Sequence, residues 1–330
     1  MNEAQFDVVG VGNAIVDIIS QADDDLIKRH VLPKGGMTLV DRDASHALYD
    51  DMGPATEVSG GSAANTMAGL ASLGGRAAFF GRVCDDQLGH VFTHDIRAIG
   101  VSYETPPAAG GTPTGRCLVL VTPDAQRTMQ TYLGSSAEFG PEDVNEAVIR
   151  TAAVTYLEGY LFDPPPAKAA FRKAAEAAHS ADRQVALTLS DSFCVARHQD
   201  EFRDLVDGHI DILFANEDEI TILYDTNDFD AALEAVRGKC EIVVLTRGEK
   251  GSVILAGGEM YTNAPEPVAQ VIDTTGAGDL YAAGFLYGLT HGCDLPTCGR
   301  IAGICAAEII SHFGARPAVS LKDLVAERLG

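Results

Sequence analysis

The chain has 330 residues, 46% of them hydrophobic and 22% charged, enough for one large domain or one domain with a smaller appendage, and no run of 18 apolar residues offers a membrane span. With 24 Lys and Arg against 47 Asp and Glu the formal charge is −23, and without a basic stripe this excludes nucleic acid as a partner. Seven cysteines scattered through apolar stretches, with no CxxC and no zinc-site spacing, read as free thiols of a reduced, cytoplasmic protein.

The acidic start, Met1–Asp7, leads straight into a strand, unlike a signal peptide. Short apolar runs predict strands over Asp7–Val11, Ala77–Val83, Val154–Gly159, Val185–Ser190, Ile210–Ala215 and Glu241–Thr246. Helical spacing falls between them, over Ala63–Leu73, Gln87–Ile99, Ala167–His179 and Phe229–Arg237. Strands that are apolar throughout and separated by helices predict an α/β fold, with a mostly parallel sheet covered on both faces and ligands at the carboxyl ends of its strands. Two stretches, 13–59 and 101–135, break the rhythm with short polar, Gly-containing segments. In the second, Cys117–Thr122, the loop Pro123-Asp124-Ala125-Gln126 and Arg127–Leu133 read as a hairpin. These two stretches are expected to form a small β-sheet lid over a larger α/β domain made of 1–12, 60–100 and 136–330. Pro164-Pro165-Pro166 is expected to stiffen a strand-to-helix loop.

Several motifs carry chemistry. Val9-Gly10-Val11-Gly12-Asn13-Ala14-Ile15 fails as a dinucleotide fingerprint, because Ile15 stands at the third glycine and the chain beyond looks extended. Asp17, between Val16 and Ile18, should point away from them, either to solvent or toward sugar hydroxyls that could satisfy a buried carboxylate. Gly60-Gly61-Ser62-Ala63-Ala64-Asn65 opens a helix that Ser62 could cap; the glycines would admit a ligand close to the backbone and Asn65 could reach it. Asn216-Glu217-Asp218-Glu219 follows a strand at the ligand edge of the sheet, though it would also serve as a plain acidic helix start. Arg247-Gly248-Glu249-Lys250-Gly251-Ser252 lacks the spacing of a Walker loop.

Asp273-Thr274-Thr275-Gly276-Ala277-Gly278-Asp279 is the most informative segment. An apolar helical stretch follows it, so the free N–H groups of the first turn could bind phosphate or an oxyanion. Asp279 in that turn is placed to take a proton from a hydroxyl attacking a phosphoryl group. A Gly-rich strand–helix turn with a capping aspartate is the plainer alternative.

Taken in order, these segments resemble the ribokinase-like (PfkB) family of carbohydrate and nucleoside kinases over essentially the full length. The two signature regions are Gly60–Gly89 and Asp273–Asp279. The resemblance implies a three-layer α/β/α domain with a β-sheet lid, and an ATP- and Mg2+-dependent kinase, with a monovalent cation such as K+ as a candidate addition. It implies Asp279 as the base on the acceptor hydroxyl and the N–H groups of Gly276, Ala277 and Gly278 as the anion hole. Asn216 and Glu219 would organise Mg2+ and its waters, and Thr246 and Gly248 would contact ATP. Asp17, Gly60, Gly61, Ser62 and Asn65 would bind the acceptor.

Within the family the resemblance runs to the adenosine kinase branch, through Asn13 with Asp17, Pro113-Thr114-Gly115, and Arg127, which there reaches the ATP phosphates. Met37, Leu39, Met129, Thr131, Leu133 and Tyr160 would then line a purine pocket, although such residues would equally serve as lid core. His312 would lie near the adenine of ATP. Thr275 and Tyr160 depart from residues common in that branch. The implied substrate is a nucleoside phosphorylated at its 5′-hydroxyl. A sugar kinase of the ribokinase or fructokinase type, and a non-catalytic nucleoside-binding protein, are the alternatives. A monomer or homodimer is expected.

Overall fold

Alternation along the first strand sets the architecture: Val8 enters one apolar cluster, while Val9 and Val11 enter the other. The same split separates Ile212 and Phe214 from Leu213 and Ala215, so the sheet is buried on both faces. In a computed structural model, residues 4–124 and 126–330 are described. Met1–Glu3 and Ala125 lie outside the described residues, and with them the start of the acidic N-terminal stretch and one residue of the predicted hairpin loop.

The main sheet has eight strands. In spatial order they are Glu259–Asn263, Ser252–Ala256, Ile242–Thr246, Ile212–Asn216, Gln184–Thr188, Ala152–Glu158, Phe6–Val11 and Ala77–Phe80. All pairings are parallel except the two that add Ser252–Ala256 and Glu259–Asn263 at one edge. Helices Pro165–His179, Gln199–Gly208 and Phe229–Val236 cover one face. Helices Ser62–Ser72, Ala277–Thr290 and Leu295–Ile309 cover the other. The predicted elements recur within a few residues at each end. One reading is corrected: Pro165 and Pro166 lie in the first turn of their helix rather than in a loop. Proline has no N–H to lose where the helix leaves that group unpaired, so the run starts the helix.

A second sheet of five strands runs in the order Met37–Leu39, Arg127–Gly134, Thr114–Val121, Ile15–Gln21 and Ala55–Gly60. Its hairpin pairs Val121 with Arg127 across the predicted loop. Val16, Ile18, Leu118 and Leu120 pack with Leu26, Leu48 and Phe92 of neighbouring helices. The opposite face carries Ile15, Cys117 and Met129 toward the main sheet. The chain passes from the main sheet to this one through Gly12-Asn13-Ala14 and returns through Gly61. All seven cysteines are free. No helix among the described residues is long and apolar enough to cross a membrane.

Candidate active site

The Asp273–Asp279 turn is built around two features. Gly276 sits at φ 78° and serves as N-cap of helix Ala277–Thr290 without a side chain. This left-handed geometry suits glycine and presents the helix N-terminus to the cleft. Asp273 holds the turn from behind. Its carboxylate accepts from the Thr275 N–H at 3.0 Å and the Gly314 N–H at 3.1 Å, and pairs with Arg127 at 2.9 Å. Of the three predicted anion-hole amides, Ala277 makes a 3.2 Å turn bond to the Thr274 carbonyl. Those of Gly276 and Gly278 have no hydrogen-bond acceptor among the described residues.

Asp279 lies one step further, in the first turn. Ser62 Oγ donates to one of its carboxylate oxygens at 2.6 Å and Asn65 Nδ2 to the other at 3.1 Å. Burial pushes its pKa up to about 6, against the lowering pull of these two donors and of Arg316. Ser62 is therefore not the predicted N-cap. Gly61 occupies that position with no side-chain cap, and the Ser62 hydroxyl is turned to the carboxylate instead. Ser62 is the first helical residue, one past the cap position, and its hydroxyl donates a charge-assisted hydrogen bond to that carboxylate.

One cleft of about 1150 Å³ runs between the two sheets and past this turn. Its wall carries Asn13, Asp17, Met37, Leu39, Gly61, Ser62, Asn65, Met129, Thr131, Leu133 and Tyr160 at one end. Asn216, Glu219, Thr246 and Gly248 line it at the carboxyl ends of the main strands, with Gly276, Ala277, Gly278 and Asp279 also on the wall. Three predicted residues are not on this wall. Gly60 ends a lid strand opposite Ile15. Arg127 is buried against Asp273 and beneath the Phe313 ring, 5.6 Å from its centroid. His312 pairs with Glu308 at 3.0 Å.

Asn216 and Glu219 close on each other as a capping box. Asn216 Oδ1 accepts from the Glu219 N–H at 2.8 Å, and the two Glu219 oxygens accept from Asn216 N and Nδ2 at 2.9 and 2.6 Å. Burial pushes Glu219 up to about 7, with Asp191 and Asp218 adding to it and the Asn216 amide opposing. Asp17 is pushed up to about 6 by burial, opposed by Arg316 and Arg127 and reinforced by Asp279.

Two residues that the sequence reading passed over stand out. Glu158 is buried on the cleft wall at the end of its strand; burial pushes it up to about 7. Arg316 donates to Ser59 O, Ser59 Oγ and Ala64 O at 2.8 to 3.2 Å, and burial pulls its pKa down to about 10 against Asp17 and Asp279. An isolated Glu ending an apolar run and a lone Arg in a loop give no periodic signal. Only their long-range neighbours distinguish them.

Comparison with known proteins decides the family. Residues 47–322 match the family described as pfkB family carbohydrate kinase. The chain belongs to the PfkB family. Among solved structures, this PfkB kinase is 51% identical to the adenosine kinase of Sinorhizobium meliloti, covering 99% of this chain and 100% of that one at a TM-score of 0.93. It is 50% identical, with the same TM-score, to a probable sugar kinase protein from Rhizobium etli, over 98% and 99% of the two chains. The adenosine kinase of Saccharomyces cerevisiae is 27% identical over 93% of this PfkB kinase and 95% of its own length.

Proposed function

We propose that this kinase transfers the γ-phosphoryl group of ATP to the 5′-hydroxyl of adenosine, giving AMP and ADP. The observation that carries the reading is the seat of Asp279 in one continuous cleft, with an apolar Met, Leu and Tyr wall at one end and the helix N-terminus beside it. The 51% identity to a full-length adenosine kinase supports the choice of nucleoside.

In this reading the nucleoside lies against Met37, Leu39, Met129, Leu133 and Tyr160, where a flat base fills an apolar slot. Asp17 and Asn65 meet the ribose hydroxyls. Asp279 takes the proton of the 5′-hydroxyl as its oxygen forms the new P–O bond and the bond from the γ-phosphorus to the bridging oxygen of ADP breaks. Ser62 and Asn65 hold both carboxylate oxygens, fixing the plane of the base. The amides of Gly276 and Gly278 take up charge on the transferring group. Thr246 and Gly248 contact ATP. The lid over the cleft excludes water, which would otherwise compete for the phosphoryl group.

The residues present fit a magnesium ion held mainly by phosphate and water. Among the described residues no three His, Cys, Asp or Glu gather as a metal cluster, and Glu219 is the buried carboxylate beside the ATP end. Mg2+ favours few protein ligands and keeps its waters. Bound there it would neutralise phosphate charge, and Asn216 would hold Glu219 in place for its waters.

The test is coupled ADP release with adenosine, inosine, guanosine, ribose and fructose as acceptors. Adenosine should give the highest kcat/KM. A preference for ribose or fructose would move the assignment to a sugar kinase, the description carried by the Rhizobium etli relative. Adenosine binding without ATP turnover would leave a nucleoside-binding protein.

A further inference from the structure

Glu158 is fully enclosed and makes three hydrogen bonds to parts of the chain far from it in sequence. Its Oε1 accepts from Asn13 N at 3.2 Å and from Asn13 Nδ2 at 2.7 Å, and its Oε2 accepts from Ala63 N at 2.8 Å. Asn13 lies in the segment that carries the chain from the main sheet into the lid. Ala63 lies just past Gly61, where the chain returns. One carboxylate at the end of a main-sheet strand thus holds both passages. The packing is tight enough that a Cβ on Gly12 would run into Glu158 Oε2.

The same contact decides how the Asn13 amide is turned. In its ionised form the carboxylate only accepts, so Asn13 then directs its NH2 at Glu158 and its carbonyl oxygen the other way. That oxygen is buried in a residue on the cleft wall and has no hydrogen-bond partner. A buried polar atom in this state costs free energy until a donor arrives.

We propose that Glu158 is a positioning residue for the acceptor: it clamps the two passages between main sheet and lid, and turns Asn13 so that its buried Oδ1 is left as the unpaired hydrogen-bond acceptor beside the cleft for a hydroxyl or amino group. In the adenosine reading, on which this rests, that donor belongs to the nucleoside. Glu158 itself accepts three hydrogen bonds from the chain and acts on the acceptor through Asn13. The lid passages and the acceptor pocket share this one anchor, so its loss changes nucleoside binding before it changes the chemistry at Asp279.

The experiment is a double-mutant cycle of Glu158→Ala and Asn13→Ala, with Glu158→Gln beside it, reading kcat, both KM values and melting temperature. Glutamine keeps the shape but cannot accept from both Asn13 and Ala63, since one of its two ends donates. The nucleoside KM should rise about 10- to 100-fold in Glu158→Ala, the range expected for loss of one or two charge-assisted hydrogen bonds. Glu158→Gln should show a smaller rise in the same direction, with the ATP KM within about twofold of wild type, the spread that we take as unchanged. Asn13→Ala should add little once Glu158 is gone, because neighbours in one network are not additive. The proposal is overturned if Glu158→Gln leaves the nucleoside KM unchanged, if both KM values rise together with a fall in melting temperature, or if the two alanine effects simply add. If Glu158→Ala does not fold, the cycle is run with Glu158→Gln. If wild type phosphorylates a sugar and not adenosine, the nucleoside reading fails on its own, and the same cycle run on that sugar still tests the clamp.

Discussion

Arg127 of the lid pairs with Asp273 of the turn before helix Ala277–Thr290 across 2.9 Å, with side chains only 8% and 6% exposed. Asp273 also holds the Thr275 and Gly314 amides, so the ion pair joins lid position to the shape of the turn. Removing one partner of a buried pair leaves the other charged and alone, at a cost of about 3–5 kcal/mol. Arg127→Met should lower unfolding free energy in urea by about that much, and kcat with it. A variant as stable as wild type would show that the pair does not tie the lid to the turn.

Asp279→Asn should lower kcat by about 10²–10⁴ while leaving nucleoside binding in place, the usual loss when a general base is removed. It should also make the protein more stable above pH 6. The carboxyl is held at about 6, above its ordinary 3.8, so the folded state binds its proton more tightly than the unfolded chain does. Ionising it therefore costs stability, fully above pH 6 and progressively less as pH falls toward 4. Thermal unfolding of both proteins from pH 4 to 8 measures this. An advantage for the asparagine variant that grows toward low pH would contradict the buried, raised carboxyl.

The rate should follow the same proton. A base works as its carboxylate, so kcat should fall as pH drops through about 6, where Asp279 becomes protonated. Ser62 donates to that carboxylate and lowers its pKa. Ser62→Ala should therefore move the acid limb to higher pH. A limb that stays put, or moves down, would mean the titrating group is not Asp279.

The parallel sheet was legible because each of its buried strands is a short apolar run between turn residues, and the Asp273–Asp279 turn because its glycines precede a helix. The hairpin through Arg127 was legible for similar local reasons. What escaped was set by contacts distant in sequence. Ser62 carries the local signature of a cap, yet a carboxylate 217 residues away takes its hydroxyl. Glu158 reads as the polar end of a strand until Asn13, 145 residues away, is folded against it. The burial of Arg127 against Asp273 likewise follows from how the two sheets meet, which no local pattern announces.

Tyr160 tests the base pocket. It stands on the cleft wall, held by a 3.3 Å bond from its backbone N–H to Ser190 Oγ, so replacing its ring leaves that anchor intact. Base–aromatic contacts are worth about 1–3 kcal/mol, so Tyr160→Ala should raise the adenosine KM roughly 5- to 150-fold. The KM for ATP should hold, which separates a lost base contact from a loosened cleft. An adenosine KM unchanged in steady-state assays would take the base away from this wall.

Gly276→Ala probes the turn without touching a charge. At φ 78° an alanine is strained by about 1–2 kcal/mol, and its Cβ would stand 3.1 Å from both Cα and Cβ of Ala315. Ala315 follows Gly314, whose N–H is bound to Asp273, so relief by moving that loop also loosens the grip on Thr275. Relief within the turn itself swings the Gly276 and Gly278 amides away from the phosphoryl position. If those amides hold the transferring group as proposed, kcat should drop by about 10²–10³ for each donor misplaced. Binding of adenosine, which in the proposed reading meets Asp17 and the Met and Leu wall instead, should change little by calorimetry. Full activity in this variant would mean that the amides at 276 and 278 do not carry the transferring charge.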